Sequence, residues 1–302
     1  MNSQEYRQLQ AEKGALERLL ADLSADREIE RIGLEVRKQE VEEALASQPA
    51  PGREPVRARL TFRGKPIVGG HGIFAEFGAL AVGTFAEAVA SIGASQIGPL
   101  GSRGILPGRD ELRMLITGTA PGSFGFLLEE APVDGFSQLP QESLLEPAID
   151  RTKAIMQASL GTDDELTEAL AEADPRALEA IRRFLETMAR GEAACAIELE
   201  GDVFRYADVE QVRRSIGRLG QDNIHEKDER LSGRFQGVLP HRRTFEFRVS
   251  ETNEVITGRV GKSIADAASI NRALDRPVTI EVHSRRVGEG RPRYVLLRYE
   301  TN

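Results

Sequence analysis

Leu9, Leu16 and Leu23 recur at intervals of seven, with Leu19 and Leu20 between them, inside a stretch from 3 to 46 that contains no proline. Elsewhere the stretch is dense in Glu, Arg, Lys and Gln. A helix with such a seam has one apolar stripe and a solvated back, so a second helix must cover the stripe. Ile29, Ile32, Val36, Val41 and Leu45 resume the stripe in a shifted phase. Ser24-Ala25-Asp26 between the halves marks a slip in the heptad or a turn between antiparallel helices. Residues 1–48 are thus expected to form a coiled coil or a helical hairpin, and self-association into a homo-oligomer through residues 3–46 is the preferred reading.

Ser47–Pro55 holds three prolines and a glycine, so the helix cannot continue and residues 49–55 are expected to be a linker. Residues 56–220 read as a central α+β domain. Val56, Ala58, Leu60 and Phe62 alternate as in a strand, and Phe74 to Ile97 reads as a largely apolar helix. A hairpin is expected at 111–119 and 124–130, then helices near 141–160, 163–173 and 175–190. Asp174 and Pro175 are placed to start the last of these. A second hairpin at 195–200 and 203–206 and an amphipathic helix at 208–219 close the domain.

Residues 221–230 (QDNIHEKDER) are strongly polar and are expected to be a second linker. Residues 231–302 then read as strands 233–239, 243–249 and 254–260, a helix at 263–274, and strands 276–286 and 292–300. Phe245, Phe247 and Val249, then Val278, Ile280 and Val282, then Val295, Leu297 and Tyr299 alternate as inward positions. Five strands with one helix between the third and fourth is the order of a small OB-like β-barrel, in which ligands meet strands 2–3 and the loops after strands 1 and 4. The fold class expected is α+β throughout.

Charge is unevenly spread. The chain carries −8, yet Leu231 to Asn302 holds thirteen Lys/Arg against eight Asp/Glu, a net of +5 that leaves −13 for the remainder. The overall balance excludes indiscriminate nucleic-acid binding, while the asymmetry points to the barrel as the basic part. No run approaches the ~18 apolar residues of a bilayer span, and MNSQEYRQLQ lacks a secretory start, so no membrane partner and a cytoplasmic setting are expected. The single cysteine, Cys195, excludes an internal disulfide and a cysteine-rich zinc site.

Several motifs invite chemistry and fall short of it. Gly261-Lys262-Ser263 resembles the end of a phosphate-binding loop, but the position that loop needs as glycine is Ile256. Ser263 and Asp266 are better placed to cap the following helix. Ser123 lies in Pro121-Gly122-Ser123-Phe124-Gly125, on a hairpin without the first glycine of a nucleophile elbow. Glu129 and Glu130 are adjacent on a strand and point to opposite faces. Cys195 is in phase with Ile197 and Leu199, as a buried thiol would be. The four histidines, His71, His225, His241 and His283, form no close pair, so no metal and no cofactor are expected.

The loops of the barrel carry the best site. His241, Arg242 and Arg243 fall after the first strand, and Arg285, Arg286, Arg291 and Arg293 flank the turn after the fourth, with Arg248 and Lys262 extending the patch. Guanidinium groups suit phosphates and carboxylates through paired hydrogen bonds. Phe245 and Phe247 point inward, which removes the aromatic platform of single-strand binders. The reading is a non-enzymatic oligomeric binding or assembly protein. Its partner would be nucleic acid or an acidic protein surface, the chain's own acidic part included. The alternative is an enzyme with a ligand site at Gly69, Gly70, His71 and Ser123, near Glu129. In layout alone, the helical seam, β–helix–β body with its GSFGF hairpin and small barrel resemble bacterial proteins of defence-type gene clusters.

Overall fold

The computed structural model describes residues 3–23, 27–46, 53–120, 124–132 and 142–301, with side chains from Gln8 onward. Helices α1 (Ser3–Asp22) and α2 (Glu28–Ala46) pair with each other within the chain. Leu16 and Val41 are buried between them, and Leu9, Leu20, Leu23, Leu34 and Leu45 are half-buried. Three ion pairs bridge them in antiparallel order: Arg37 to Glu12 at 2.8 Å, Lys13 to Glu42 at 2.9 Å and Lys38 to Glu17 at 3.4 Å. The two helices are therefore antiparallel; Ser24-Ala25-Asp26 between them lies outside the described residues. This pairing leaves Ile29, Ile32 and Val36 of α2 and Leu19 of α1 open, with exposures of 87%, 56%, 53% and 54%.

The central region is one five-stranded antiparallel sheet. Its strands are β1 (Arg57–Gly64), β4 (Met114–Ala120), β5 (Gly125–Glu130), β6 (Ala193–Leu199) and β7 (Asp202–Arg205), in the order β4-β5-β1-β6-β7. A small hairpin, β2 (Ile67–Val68) and β3 (Gly72–Ile73), precedes helix α3 (Ala75–Ile97). Helices α4 (Leu145–Ala158), α5 (Asp163–Leu170) and α6 (Pro175–Arg190) lie between β5 and β6, and α7 (Val209–Arg218) follows β7. Alternation sends Ala58, Leu60 and Phe62 of β1 into the core with Leu128, Cys195, Ile197 and Leu199. On the other face Arg57 pairs with Glu129 and Arg59 with Glu198, each at 3.2 Å. Charged outside and apolar inside is what a sheet with one covered face requires.

Helix α3 is the one described helix long and apolar enough to cross a bilayer, and 56% of its apolar window is buried inside the fold. Its core side explains that composition: Phe85 meets Phe184 of α6 edge-on, ring centroids 5.4 Å apart, and Ala88, Val89 and Ile92 are enclosed. Caps follow the side chains that can supply them. Asp174 accepts from the Arg176 amide at 2.9 Å ahead of Pro175, and Asp208 accepts from Gln211 N at 2.9 Å. Thr162 and Glu165 form a reciprocal capping box on α5.

The last region is a closed barrel of β8 (Ile224–Leu239), β9 (Thr244–Val249), β10 (Val255–Val260), β11 (Val278–Val287) and β12 (Arg293–Thr301). The cyclic order is β8-β9-β10-β12-β11; β10 and β12 run parallel, and the other pairs antiparallel. Phe235, Phe245, Phe247, Val278, Ile280, Val282 and Leu296 fill it.

Three expectations are corrected. The stretch 221–230 is a 3-10 turn, Gln221–Asn223, followed by the first seven residues of β8. That half of β8 pairs with β11 alone, and its side chains are largely exposed, so no alternation marks it. The helix expected at 263–274 is a shorter 3-10 helix, Ala267–Ala273, capped by Asp266, while the Ser263 hydroxyl donates to Leu297 O at 2.7 Å. On β12 a bulge skips Leu297, pairing Glu281 with Arg298 and Val282 with Leu296. The phase therefore changes, so Leu296 and Tyr299 face the core and Leu297 is exposed.

Candidate functional site

The turn Pro240–Arg243 follows β8. Arg243 takes a left-handed backbone, φ +50°, and its guanidinium donates to Val260 O at 3.2 Å, Gly261 O at 2.8 Å and Ile264 O at 2.7 Å. It ties this turn to the loop after β10. Arg242 beside it is exposed and makes no hydrogen bond or ion pair among the described residues, and His241 is likewise exposed. Two residues missed at sequence level stand nearby on the barrel wall. Arg234 of β8 lies directly opposite Arg248 of β9, both exposed. Arg248 makes long hydrogen bonds, to Asn253 Oδ1 at 3.3 Å, Asn253 O at 3.5 Å and Gln236 Oε1 at 3.4 Å. The second residue, Arg276, is exposed in the segment held against β8 by Asp275 N donating to Phe235 O at 3.3 Å.

The turn after β11 is docked onto α5. Val287 N donates to Thr167 Oγ1 at 3.1 Å, Glu289 N to Asp163 Oδ2 at 3.3 Å and Arg291 N to Asp164 Oδ1 at 2.6 Å. Gly290 is packed so closely that an added Cβ would lie 2.9 Å from the Asp163 carbonyl carbon. Arg285 is buried, 4% exposed; it donates to Leu170 O, to Ala173 O at 2.8 Å and to Glu226 Oε1 at 2.7 Å. Lys262 Nζ donates to Gln96 O at 2.9 Å, in the last turn of α3, where a cation complements the helix dipole. Arg243, Lys262 and Arg285 thus use their donors within the chain. Among the described residues the Arg286 and Arg291 side chains have no ion-pair partner.

Leu239 and Thr244, which bracket the first turn, and Arg293 and Tyr294, which follow the second, line the same groove of about 450 Å³ between the barrel and α5. Arg293 Nε stands 2.7 Å from Glu168 Oε2 but is misaligned for a hydrogen bond. Arg259 donates to Glu172 Oε2 at 3.2 Å and lies 4.0 Å from Glu168 Oε1. Burial beside these groups lowers the pKa of Arg151, whose guanidinium donates to Ala169 O at 2.6 Å. Burial also raises that of Tyr294. Arg259, Tyr294 and Glu168 carry no sequence signal of a site, because they converge from β10, β12 and α5.

The secondary site falls only partly within the described residues. Gly69, with φ +60°, and Gly70 form the β2–β3 turn, and His71 is exposed, its backbone N donating to Val68 O at 3.4 Å. Glu129 is engaged by Arg57, and Ser123 lies outside the described residues. Burial pushes the Cys195 thiol up to about 12, far from a reactive thiolate. Among the described residues no three His, Cys, Asp or Glu side chains are grouped to hold a metal ion. No protein-family model matches the chain, no curated protein matches it in sequence, and no solved structure matches its fold.

Proposed function

We propose that this chain is a self-associating binding protein, not an enzyme. Its barrel, read as OB-like from the strand order, presents arginines to a phosphate-bearing or acidic partner. The observation that carries the reading is the pair Arg234 and Arg248, directly opposed across β8 and β9 with no ion pair to either among the described residues. Like charges opposite one another on neighbouring strands repel and destabilise the sheet, and an anion lying across both removes the repulsion. Arg242 and Arg276 extend this face, and Arg286 and Arg291 offer a second, smaller contact. Glu246 also lies on the outer face of β9, so the partner meets discrete guanidinium groups and not a uniform field.

Self-association rests on the helical hairpin, read as half of a coiled coil. Among the described residues only Leu16 and Val41 are fully buried in it, too little apolar area to hold two helices of this length on their own. Ile29, Ile32, Gly33 and Val36 form one open face at helical spacing, and an added Cβ at Gly33 would meet nothing within 4 Å. A second hairpin from another copy covers that face, and Gly33 permits close approach. Repetition of a weak site on joined chains raises avidity without new contacts. The buried single thiol and the mostly enclosed α3 suit a cytoplasmic setting.

Two measurements test the reading. Fluorescence anisotropy with labelled single-stranded DNA, RNA and a poly-glutamate peptide is expected to show salt-dependent binding. It should weaken in R234A/R248A, with the salt slope reduced by about 2 for a nucleic acid. Equal binding by the variant ends the proposal. Light scattering should give a multiple of 33.2 kDa for the wild-type chain and a lower mass for I29E/I32E. A wild-type mass of 33.2 kDa removes the assembly half.

A further inference from the structure

The groove between the barrel and α5 adjoins the Arg234–Arg248 face at Glu246, but neither arginine lines it, and it has its own chemistry. One end is cationic, with Arg259 and Arg293 facing Glu168, and Arg151 behind. Beside it the lining is apolar: exposed Leu239 and half-buried Tyr294, with Val238 and Phe245 of the barrel core beneath. Between them the floor is bare backbone: an added Cβ at Gly237 would meet nothing within 4 Å. At Gly258 the place of a Cβ is already taken by Tyr294 O and the Phe245 ring. A flat floor with an apolar wall admits a planar ring, and a volume of about 450 Å³ falls within the ~300–1,000 Å³ of small-molecule sites.

The carboxylates now at the cationic end, Glu168 between the two arginines and Glu172 on Arg259, hold it weakly. The Glu168 side chain is 52% exposed, and so is almost half of Arg259, so these pairs are surface ion pairs of about 0–1 kcal/mol. Arg293 Nε lies against Glu168 without donating a hydrogen bond to it, which leaves a donor unused at the groove wall. A phosphate brings more charge and three acceptor oxygens, enough to satisfy both guanidinium groups at once. Glu246, exposed on the opposite rim, orients the anionic end of a ligand toward the arginines.

The geometry points to a nucleoside phosphate as the ligand of this groove, its phosphate replacing Glu168 between Arg259 and Arg293 and its base lying over Gly237 and Gly258 against Tyr294. The chemistry is the same for a free mononucleotide and for one unit of a single strand, so both are probed.

Calorimetric titration of the full-length chain with AMP, inorganic phosphate and a pentanucleotide tests it. AMP is expected to bind more tightly than phosphate, and Y294A to bring the two together. R293M should weaken AMP about tenfold, the value of a charged hydrogen bond. E168Q removes the internal competitor and should tighten AMP several-fold, which a merely structural Glu168 would not do. R234A/R248A should leave AMP binding unchanged, so failure here and failure of the surface proposal are separable. Tighter binding of AMP than of the pentanucleotide identifies a free nucleotide, and the reverse a strand. No AMP binding at millimolar concentration by either wild type or E168Q, or binding that survives R293M, overturns the assignment. Should R293M melt early, E168Q alone still tests the competition.

Discussion

Glu130 shows how much a single side chain can organise here. It is buried, its carboxylate accepts two hydrogen bonds at 2.8 Å from Arg53, and Val56 N and Ser143 Oγ donate to it at 3.1 and 3.0 Å. Burial alone would raise its pKa; the four donors and the Arg53 charge hold it below 4.5. A carboxyl depressed on folding contributes stability that is complete above its unfolded value and is lost as pH falls through the folded one. The wild-type chain should therefore lose more stability than E130Q as pH drops below about 4.5. Urea midpoints at neutral and acid pH check this, and parallel losses contradict it. The arginines make the complementary point. Arg242 and Arg243 are neighbours of the same type, yet one is free and the other is spent on three carbonyls. Nothing local distinguishes them, because the carbonyls belong to a loop some twenty residues away.

Elements were legible where local chemistry sets their limits. Asp174 and Pro175 start α6 at the expected residue, since a side-chain acceptor and a fixed φ act within one turn. Asp174 does more than cap: its second oxygen accepts from Leu100 N at 3.0 Å, which pins the loop after α3. D174A is expected to cost about 2 kcal/mol, the upper end for a lost cap. A value near zero in chemical denaturation would show that neither bond matters. Elements were misjudged where pairing decides. The β12 phase depends on a bulge opposite β11, and the polar start of β8 is a strand only because β11 hydrogen-bonds to it.

At the scale of the molecule, the barrel and the helical region are joined by the acidic start of α5 and by Arg285. Asp163 and Asp164 receive the β11–β12 turn, and Arg218 donates to Asp163 Oδ1 at 2.6 Å, holding that carboxyl below its usual range. Removing the buried Arg285 leaves Glu226 and two carbonyls without their donor, a loss of about 3 kcal/mol or more. R285L and G290V should each split one thermal transition into two, as the barrel and the helical region melt apart. A single, merely lowered transition in calorimetry would mean that the docking contributes nothing to cooperativity.

The charge asymmetry, the five-strand order of the last region and the apolar seam at the front are properties of composition and periodicity, so the chain alone determined them. Which arginines stay free was decided only by the tertiary structure. A guanidinium is neutralised by whatever carboxylate or carbonyl the fold brings within about 3 Å of it. Asp163, Asp164, Glu168 and Glu172 reach the barrel from more than fifty residues away along the chain.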